Sequence, residues 1–173
     1  MDIFTALHTR RSIRKYTDEP VSREAVERLL DAAMIAPSAG NARPWQFVVV
    51  DDANLLKKAP DINPYAAMAV KAPLGIVICG DPSVEKHPGF WVQDCAAAVQ
   101  NLLLAATGLG LGAVWTGIYP VEERVKGFRD LLGLPGGIVP LALVIVGHHG
   151  ERPERKSRFE AAKVHRNRFG TAF

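Results

Sequence analysis

Residues 91–107 constrain the fold more than any other stretch of this chain. Val92, Cys95, Ala96, Val99, Leu102, Leu103 and Ala106 recur at helical spacing and form one apolar stripe. Ala97, Ala98, Leu104 and Ala105 fill much of the remaining surface, leaving Gln93, Asp94, Gln100 and Asn101 as the polar exceptions. A helix apolar nearly all round has to be buried nearly all round. A chain of 173 residues reads most simply as one domain, 1–173, with a sizeable core. In a chain of that size, a partner subunit is a natural cover for the helix's second face.

The other predicted elements follow from local patterns. Ile3, Phe4 and Leu7 mark a short amphipathic helix. Ser22 is a good N-cap for a helix carrying Val26, Leu29, Leu30 and Ala33, with Val21 placed to staple against Val26 and Pro37 ending the pattern. Trp45–Val50 reads as a buried strand, and residues 74–79 as a second strand between proline- and glycine-rich turns. Residues 57–71 are expected to hold short helices interrupted by Pro60 and Pro64, and the polar loop up to Gly89 reads as a lid or rim. Residues 113–116 are strand-like, and Glu122–Leu132 is a short helix with Val125, Phe128, Leu131 and Leu132 facing the core and Gly133 stopping it. Residues 138–146 form the last strand, where Pro140 marks an edge or an irregularity.

Several function classes are disfavoured. A net charge of +3 does not by itself suggest a nucleic-acid binder. Cys79 and Cys95 are too few for a disulfide framework and form no Cys-x-x-Cys pair, and His148-His149 lacks helical metal-ligand spacing. Gly108-Leu109-Gly110-Leu111-Gly112-Ala113 matches the dinucleotide pattern Gly-x-Gly-x-x-(Gly/Ala), which requires a strand before it and a helix after it. Here the order is reversed, so a Rossmann site is rejected and the glycines are expected to end a helix and turn into a strand. No secretory segment is expected, and no stretch approaches the ~20 apolar residues of a membrane span, so the cytoplasm is the expected compartment. The tail 151–173 carries seven Lys and Arg residues with Phe159, Phe169 and Phe173, but Glu151, Glu154 and Glu160 dilute its charge and weaken a nucleic-acid role.

Two polar stretches offer binding chemistry. Arg10, Arg11, Ser12, Arg14 and Lys15 lie within residues 10–16, and guanidinium groups hold phosphate through forked, charge-assisted hydrogen bonds. In an extended segment Arg10, Ser12 and Arg14 would share one face. Taken alone, these residues favour a solvated basic loop. Residues 37–45, rich in small side chains between Pro37 and Pro44, would let backbone approach a flat ligand, with Ser38 and Asn41 as polar handles. A plain helix-to-strand connection explains that loop equally well.

In order along the chain, Arg10-Arg11-Ser12-Ile13-Arg14, then Pro37-Ser38-Ala39-Gly40-Asn41 leading to Pro44-Trp45, then Lys156-Ser157-Arg158, resemble the FMN-dependent nitroreductase family over nearly the whole length. The resemblance implies an α+β, three-layer fold: a small mixed, mainly antiparallel sheet flanked by helices. It also implies an intertwined homodimer with FMN at the subunit interface and the tail 151–173 reaching the partner. Carried over by residue, Arg10 and Ser12 would bind the FMN phosphate or ribityl chain, with Arg11 in the same segment. Arg14 would lie beside the N1–C2=O edge of the ring, and Lys156 and Arg158 would reach the phosphate. Pro37, Ser38, Ala39 and Asn41 would form the loop that the partner lays beside the flavin. Thr116 and Gly117 would supply backbone N–H groups near N5. Two departures stand out: Arg43 replaces the Gln or Asn of many relatives, and the chain is short, without the insertions that often form a helical lid.

The implied activity is transfer of electrons from NADH or NADPH through FMN to nitroaromatics, quinones or similar flat acceptors by a ping-pong route. No side-chain nucleophile is needed for it. An alternative from another class is a flavin-storage or electron-carrier protein without its own NAD(P)H turnover. Anaerobic bleaching by a nicotinamide separates the two.

Overall fold

The computed structural model describes residues 1–151, 154 and 158–173. Its centre is a sheet in the order β1-β2-β4-β3, where β1 is Trp45–Val50, β2 Leu74–Gly80, β3 Leu111–Gly117 and β4 Val139–His148. All three neighbouring pairs are antiparallel, and the expected parallel component is a single bridge, Ser12 against Ala113. Alternate side chains leave opposite faces of a strand. Accordingly Ile76, Ile78, Val144 and Val146 pack with α2 (Arg23–Met34) and α5 (Trp91–Gly108), whereas Val77, Cys79, Leu143 and Ile145 face the side covered by α3 (Ala53–Leu56), α4 (Ala59–Ile62), the 3-10 helix Pro64–Lys71 and α6 (Glu122–Leu132). The three-layer α+β architecture is the one expected.

Local signals set most boundaries. Ser22 caps α2 by accepting the Ala25 N–H at 3.2 Å, and Gly133 ends α6 with φ +63°. Pro60 and Pro64 begin helical turns instead of interrupting them, because each sits in a first turn where a missing N–H costs nothing. β1 is not the buried strand expected: it lies at the sheet edge, with only Trp45 and Val50 buried and Val49 40% exposed. An apolar run alone does not distinguish an edge strand from a central one. β4 is central, and Pro140 marks an irregularity there: Ile78 faces Ala142 and Cys79 faces Pro140, so Leu141 is the extra residue of a bulge.

Helix α5 crosses one face of the sheet. Ala98, Val99 and Leu102 are fully buried within the protomer, whereas Ala97, Leu104 and Ala105 are only partly covered. Ala98 therefore belongs to the protomer's own core and not to the helix's open side. The short helix α1 (Ile3–Thr9) packs there through Ala6, but its apolar stripe does not face the protomer's interior: Phe4 is 69% exposed and Leu7 46%. Ile3, Ala6, Ile35, Leu104 and Ala105 line an apolar cleft of about 420 Å³ between α1, α2 and α5. Among the described residues no helix is long and apolar enough to cross a membrane.

Candidate flavin site

Arg10 forms the C-cap of α1, and the chain then runs along the outer edge of β3. Ile13 N–H donates to Ala113 O at 3.0 Å. The extended geometry sorts the side chains as expected: Ile13 is buried against Gly112, while Ser12 and Arg14 are exposed. Gly112 is required for this contact, because a Cβ there would lie 2.7 Å from Ile13 Cγ2. Tyr16 fixes the bend, its hydroxyl donating to Ile13 O at 2.5 Å and lying 3.2 Å from Ile145 O. Burial, reinforced by the Glu151 carboxylate, pushes this phenol's pKa well above its ordinary value, so it remains a donor. The chain leaving β4 fastens the same segment: Gly150 N–H donates to Lys15 O at 2.8 Å, and Arg14 N–H to the Glu151 carboxylate at 2.6 Å.

Three arginines converge at the start of this segment. Partial burial first, then the charges of Arg158 and Arg11, hold the Arg10 pKa below the ordinary arginine value. Arg11 is largely committed: its Nε donates to Glu154 O at 3.0 Å, and its Nη1 donates to the carbonyls of His8 at 3.1 Å and Arg10 at 2.7 Å, capping the end of α1, while its Nη2 is buried with no hydrogen-bond partner among the described residues. Among the described residues neither Arg10 nor Arg158 forms an ion pair. Like charges held together disfavour their own charged forms, and a bound anion reverses that penalty. Lys156, the other expected tail ligand, lies outside the described residues.

Beyond this cationic group, a cleft of about 540 Å³ opens between residues 14–16 and the 3-10 helix, with Arg14, Lys15 and Lys71 on its walls beside Tyr16, Met68 and Val70. Cations around an apolar surface suit a flat ligand that carries negative charge. The same 3-10 helix connects the cleft to the end of β3. At its start the buried Asn63 accepts Tyr65 N–H at 3.2 Å and donates to Gly117 O at 3.1 Å, where Arg124 also donates at 3.1 Å. Ala113 O faces the outer segment and Ile118 N–H faces Leu141 O, so alternation puts the Gly117 N–H on the open edge and the Thr116 N–H toward β4. Thr116 is buried and its hydroxyl donates to Leu143 O at 3.0 Å. Gly117 is thus placed to meet a ligand, and Thr116 to hold β3 against β4.

The loop 37–43 is built separately. Gly40, Asn41 and Arg43 have φ values of 58°, 55° and 49°. For the two non-glycine residues this left-handed geometry costs roughly 1–2 kcal/mol each. Side chains hold it: Ser38 Oγ accepts Arg43 N–H at 2.9 Å, Asp94 Oδ1 accepts Ala39 N–H at 2.9 Å, and Lys86 Nζ donates to Gly40 O at 2.6 Å. Ser38 therefore uses an oxygen lone pair within its own loop and keeps its O–H for another partner, while Pro37 and Asn41 are exposed. Asp94, which touches this loop, stands near the start of α5; Thr107, which lines a cleft with Arg11, stands near its end. The helix between them is about 20 Å long. Within one protomer the loop and the Arg10–Ser12–Arg14 cradle lie toward opposite ends of α5.

The family model described as "Nitroreductase family" matches residues 7–74 and 63–148. The chain belongs to the nitroreductase family. A protein of Methanothermobacter thermautotrophicus, provisionally named NADH dehydrogenase/NAD(P)H nitroreductase, is 50% identical over 165 residues, covering 95% of this chain and 86% of that protein. A crystal structure from Parabacteroides distasonis with the same provisional name superposes with a TM-score of 0.93 at 38% identity, covering 96% of this chain and 98% of the other. A provisionally named nitroreductase of Desulfovibrio desulfuricans, solved in complex with FMN, has a TM-score of 0.83 at 32% identity and covers 98% of each chain.

Several residues that organise this candidate site were not legible as site residues. Asn63 stands just before Pro64, a turn signal that locates a cap but not its contact with Gly117, 54 positions away. Glu151 holds Arg14 across 137 positions, and no local pattern announces such a pair. Asp94 was visible only as a polar exception on an apolar helix, and nothing in the local pattern singled out Lys71 or Lys86.

Proposed function

We propose that this protein is an FMN-dependent oxidoreductase of the nitroreductase type that takes electrons from NADH or NADPH and reduces nitroaromatics, quinones or similar flat acceptors by a ping-pong route. The observation that carries the reading is the cleft walled by Arg14, Lys15 and Lys71, next to the segment that Ser12 seats along the edge of β3 at Ala113, with Arg158 near enough to Arg10 to lower its pKa. These residues fit the group: phosphate would neutralise Arg10 and Arg158, with Ser12 as a further donor and Lys156 as the second tail cation. Bound FMN would supply reversible two-electron chemistry at a flat ring. Arg14 would put positive charge where reduction leaves negative charge, and the Gly117 N–H would orient the ring edge. Asn63 and Arg124, both donating to Gly117 O, keep that backbone fixed.

The site is completed by a second copy. The separation of loop 37–41 from the cradle along α5 supports a homodimer in which each protomer's Pro37, Ser38, Ala39 and Asn41 cover the flavin held by the other. The uncovered α1 stripe and the open side of α5 supply apolar surface for that contact. The tail 151–173, with Phe159, Phe169 and Phe173 all largely exposed, would reach across the same interface. The cytoplasm is the proposed compartment.

The deciding experiment uses the purified holoprotein without oxygen. NADH or NADPH should bleach the flavin band, and a panel of nitro compounds and quinones should restore it. Arg10→Ala with Arg158→Ala should weaken FMN retention at least ten-fold, since each charge-assisted hydrogen bond contributes roughly 1.5–3 kcal/mol. Flavin that neither nicotinamide bleaches would defeat the oxidoreductase reading. A double variant that keeps a full complement of FMN would defeat the phosphate site.

A further inference from the structure

The chemistry proposed above leaves Asp94 unused, although it is among the most constrained polar groups in the protein. It sits in the first turn of α5 and is 6% exposed. Its Oδ1 accepts Ala39 N–H at 2.9 Å, while its Oδ2 is buried with no hydrogen-bond partner among the described residues. A buried acceptor without a donor is destabilising, so ordinary packing gives no reason for a polar side chain here. What it touches does give a reason. Ala39 opens the 3-10 turn whose next residues, Gly40 and Asn41, are left-handed, as is Arg43. A backbone in such geometry persists only where its surroundings over-determine it. Of the side-chain braces on this loop, Ser38 belongs to the loop itself and Lys86 reaches it from an exposed segment, whereas Asp94 reaches it from the core helix.

We propose that Asp94 is the positioning residue of the 37–41 loop: through Ala39 it fixes the shape with which one protomer covers the flavin bound by its partner. The inference rests on the shared-site reading above. Without the clamp the loop adopts its covering shape only part of the time, and apparent affinity falls by that fraction. Both FMN retention and acceptor binding decline, while the rate of electron transfer in the loaded complex stays near normal. That split separates a positioning role from a general loss of fold. The unpartnered oxygen sharpens the expectation. Asp94→Asn keeps an acceptor for Ala39 and has no hydrogen bond to lose at the other position, so it should behave like the parent.

The test uses the dimeric holoprotein. FMN release on dilution is followed by flavin fluorescence, and KM and kcat for a quinone are measured with NADH at saturating FMN. Asp94→Ala should raise the FMN Kd and the quinone KM about ten-fold each, with kcat within about two-fold. Lys86→Ala, which removes the exposed brace without touching the core, should move both constants about two- to three-fold the same way. Asp94→Asn should restore both. A folded, dimeric Asp94→Ala protein with unchanged Kd and KM overturns the proposal, as does an Asp94→Asn protein as impaired as Asp94→Ala. If Asp94→Ala fails to fold, an unchanged Lys86→Ala protein overturns it instead. Arg10→Ala, run alongside, separates the two levels. If it keeps full FMN affinity, the flavin-site reading falls and this inference with it; if it loses FMN while Asp94→Ala does not, only the role of Asp94 falls.

Discussion

Gly112→Ala tests how the cofactor segment is seated. The new Cβ would lie 2.7 Å from Ile13 Cγ2 and 2.9 Å from Ile13 Cβ. Carbon atoms at rest keep about 3.5–4.0 Å apart, so the overlap approaches 1 Å. Ile13 is 2% exposed and its N–H is bound to Ala113 O at 3.0 Å, so it cannot retreat without pulling residues 12–14 off β3. Overpacking of this kind costs about 1–3 kcal/mol. Part of that should appear in folding and part in FMN affinity, because Ser12 and Arg14 move with Ile13. Ile13→Ala alone should cost about 2–5 kcal/mol through the cavity it leaves. In the double variant the contacts with Cγ2 and Cγ1 are gone while the 2.9 Å contact with the Cβ of residue 13 remains, so the clash is partly relieved and the combined loss should fall short of the sum by about 1 kcal/mol. Urea midpoints at constant m, with FMN titration of each variant, measure all three. Strict additivity, or a Gly112→Ala protein as stable as the parent, would refute the packing argument.

Arg14→Ala should lower the FMN reduction potential by about 20–40 mV while the flavin stays bound, the loss of roughly 1–2 kcal/mol from an exposed cation near the reduced ring; spectroelectrochemistry that finds an unchanged or higher potential would place Arg14 away from N1. Leu104→Arg, on the open side of α5 and therefore a better probe than the core residue Ala98, should weaken the dimer and release FMN with it; sedimentation over a dilution series checks this, and a monomer that stays yellow at micromolar concentration would break the shared-site model. Burial pushes the Cys79 and Cys95 thiols up to about 12, from an unfolded value of 9.0. Between those values the folded state binds more protons than the unfolded state, so stability should fall as pH rises above 9.0, by at most about 1.4 kcal/mol per thiol per pH unit. Native alkylation at pH 8 should be negligible, and rapid labelling of either thiol would contradict the burial argument.

Whatever depends on near neighbours was legible in the residues alone. The Ser22 cap, the Gly133 stop, the full range of α6 and the helix-to-strand turn at Gly108–Gly110 are local matters of dihedral freedom and hydrogen bonding, and each stands where the residues put it. The reversed order around those glycines, helix before and strand after, was enough to reject a Rossmann fingerprint there. Alternation within residues 10–14 gave the faces of Ser12, Ile13 and Arg14, because an extended chain has only two sides. Tertiary structure alone decided the rest. β1 became an edge and β4 a centre through strand order, which depends on pairings dozens of residues apart and leaves no mark in an apolar run. Gly112 looked like part of a turn motif and proved to be the floor under Ile13. Asn63 and Glu151 gained their roles from contacts across 54 and 137 positions, and Asp94 its role from the loop folded onto it. The physical reason is the same in each case. A local pattern fixes which way a side chain points, but only the closed fold fixes what it meets.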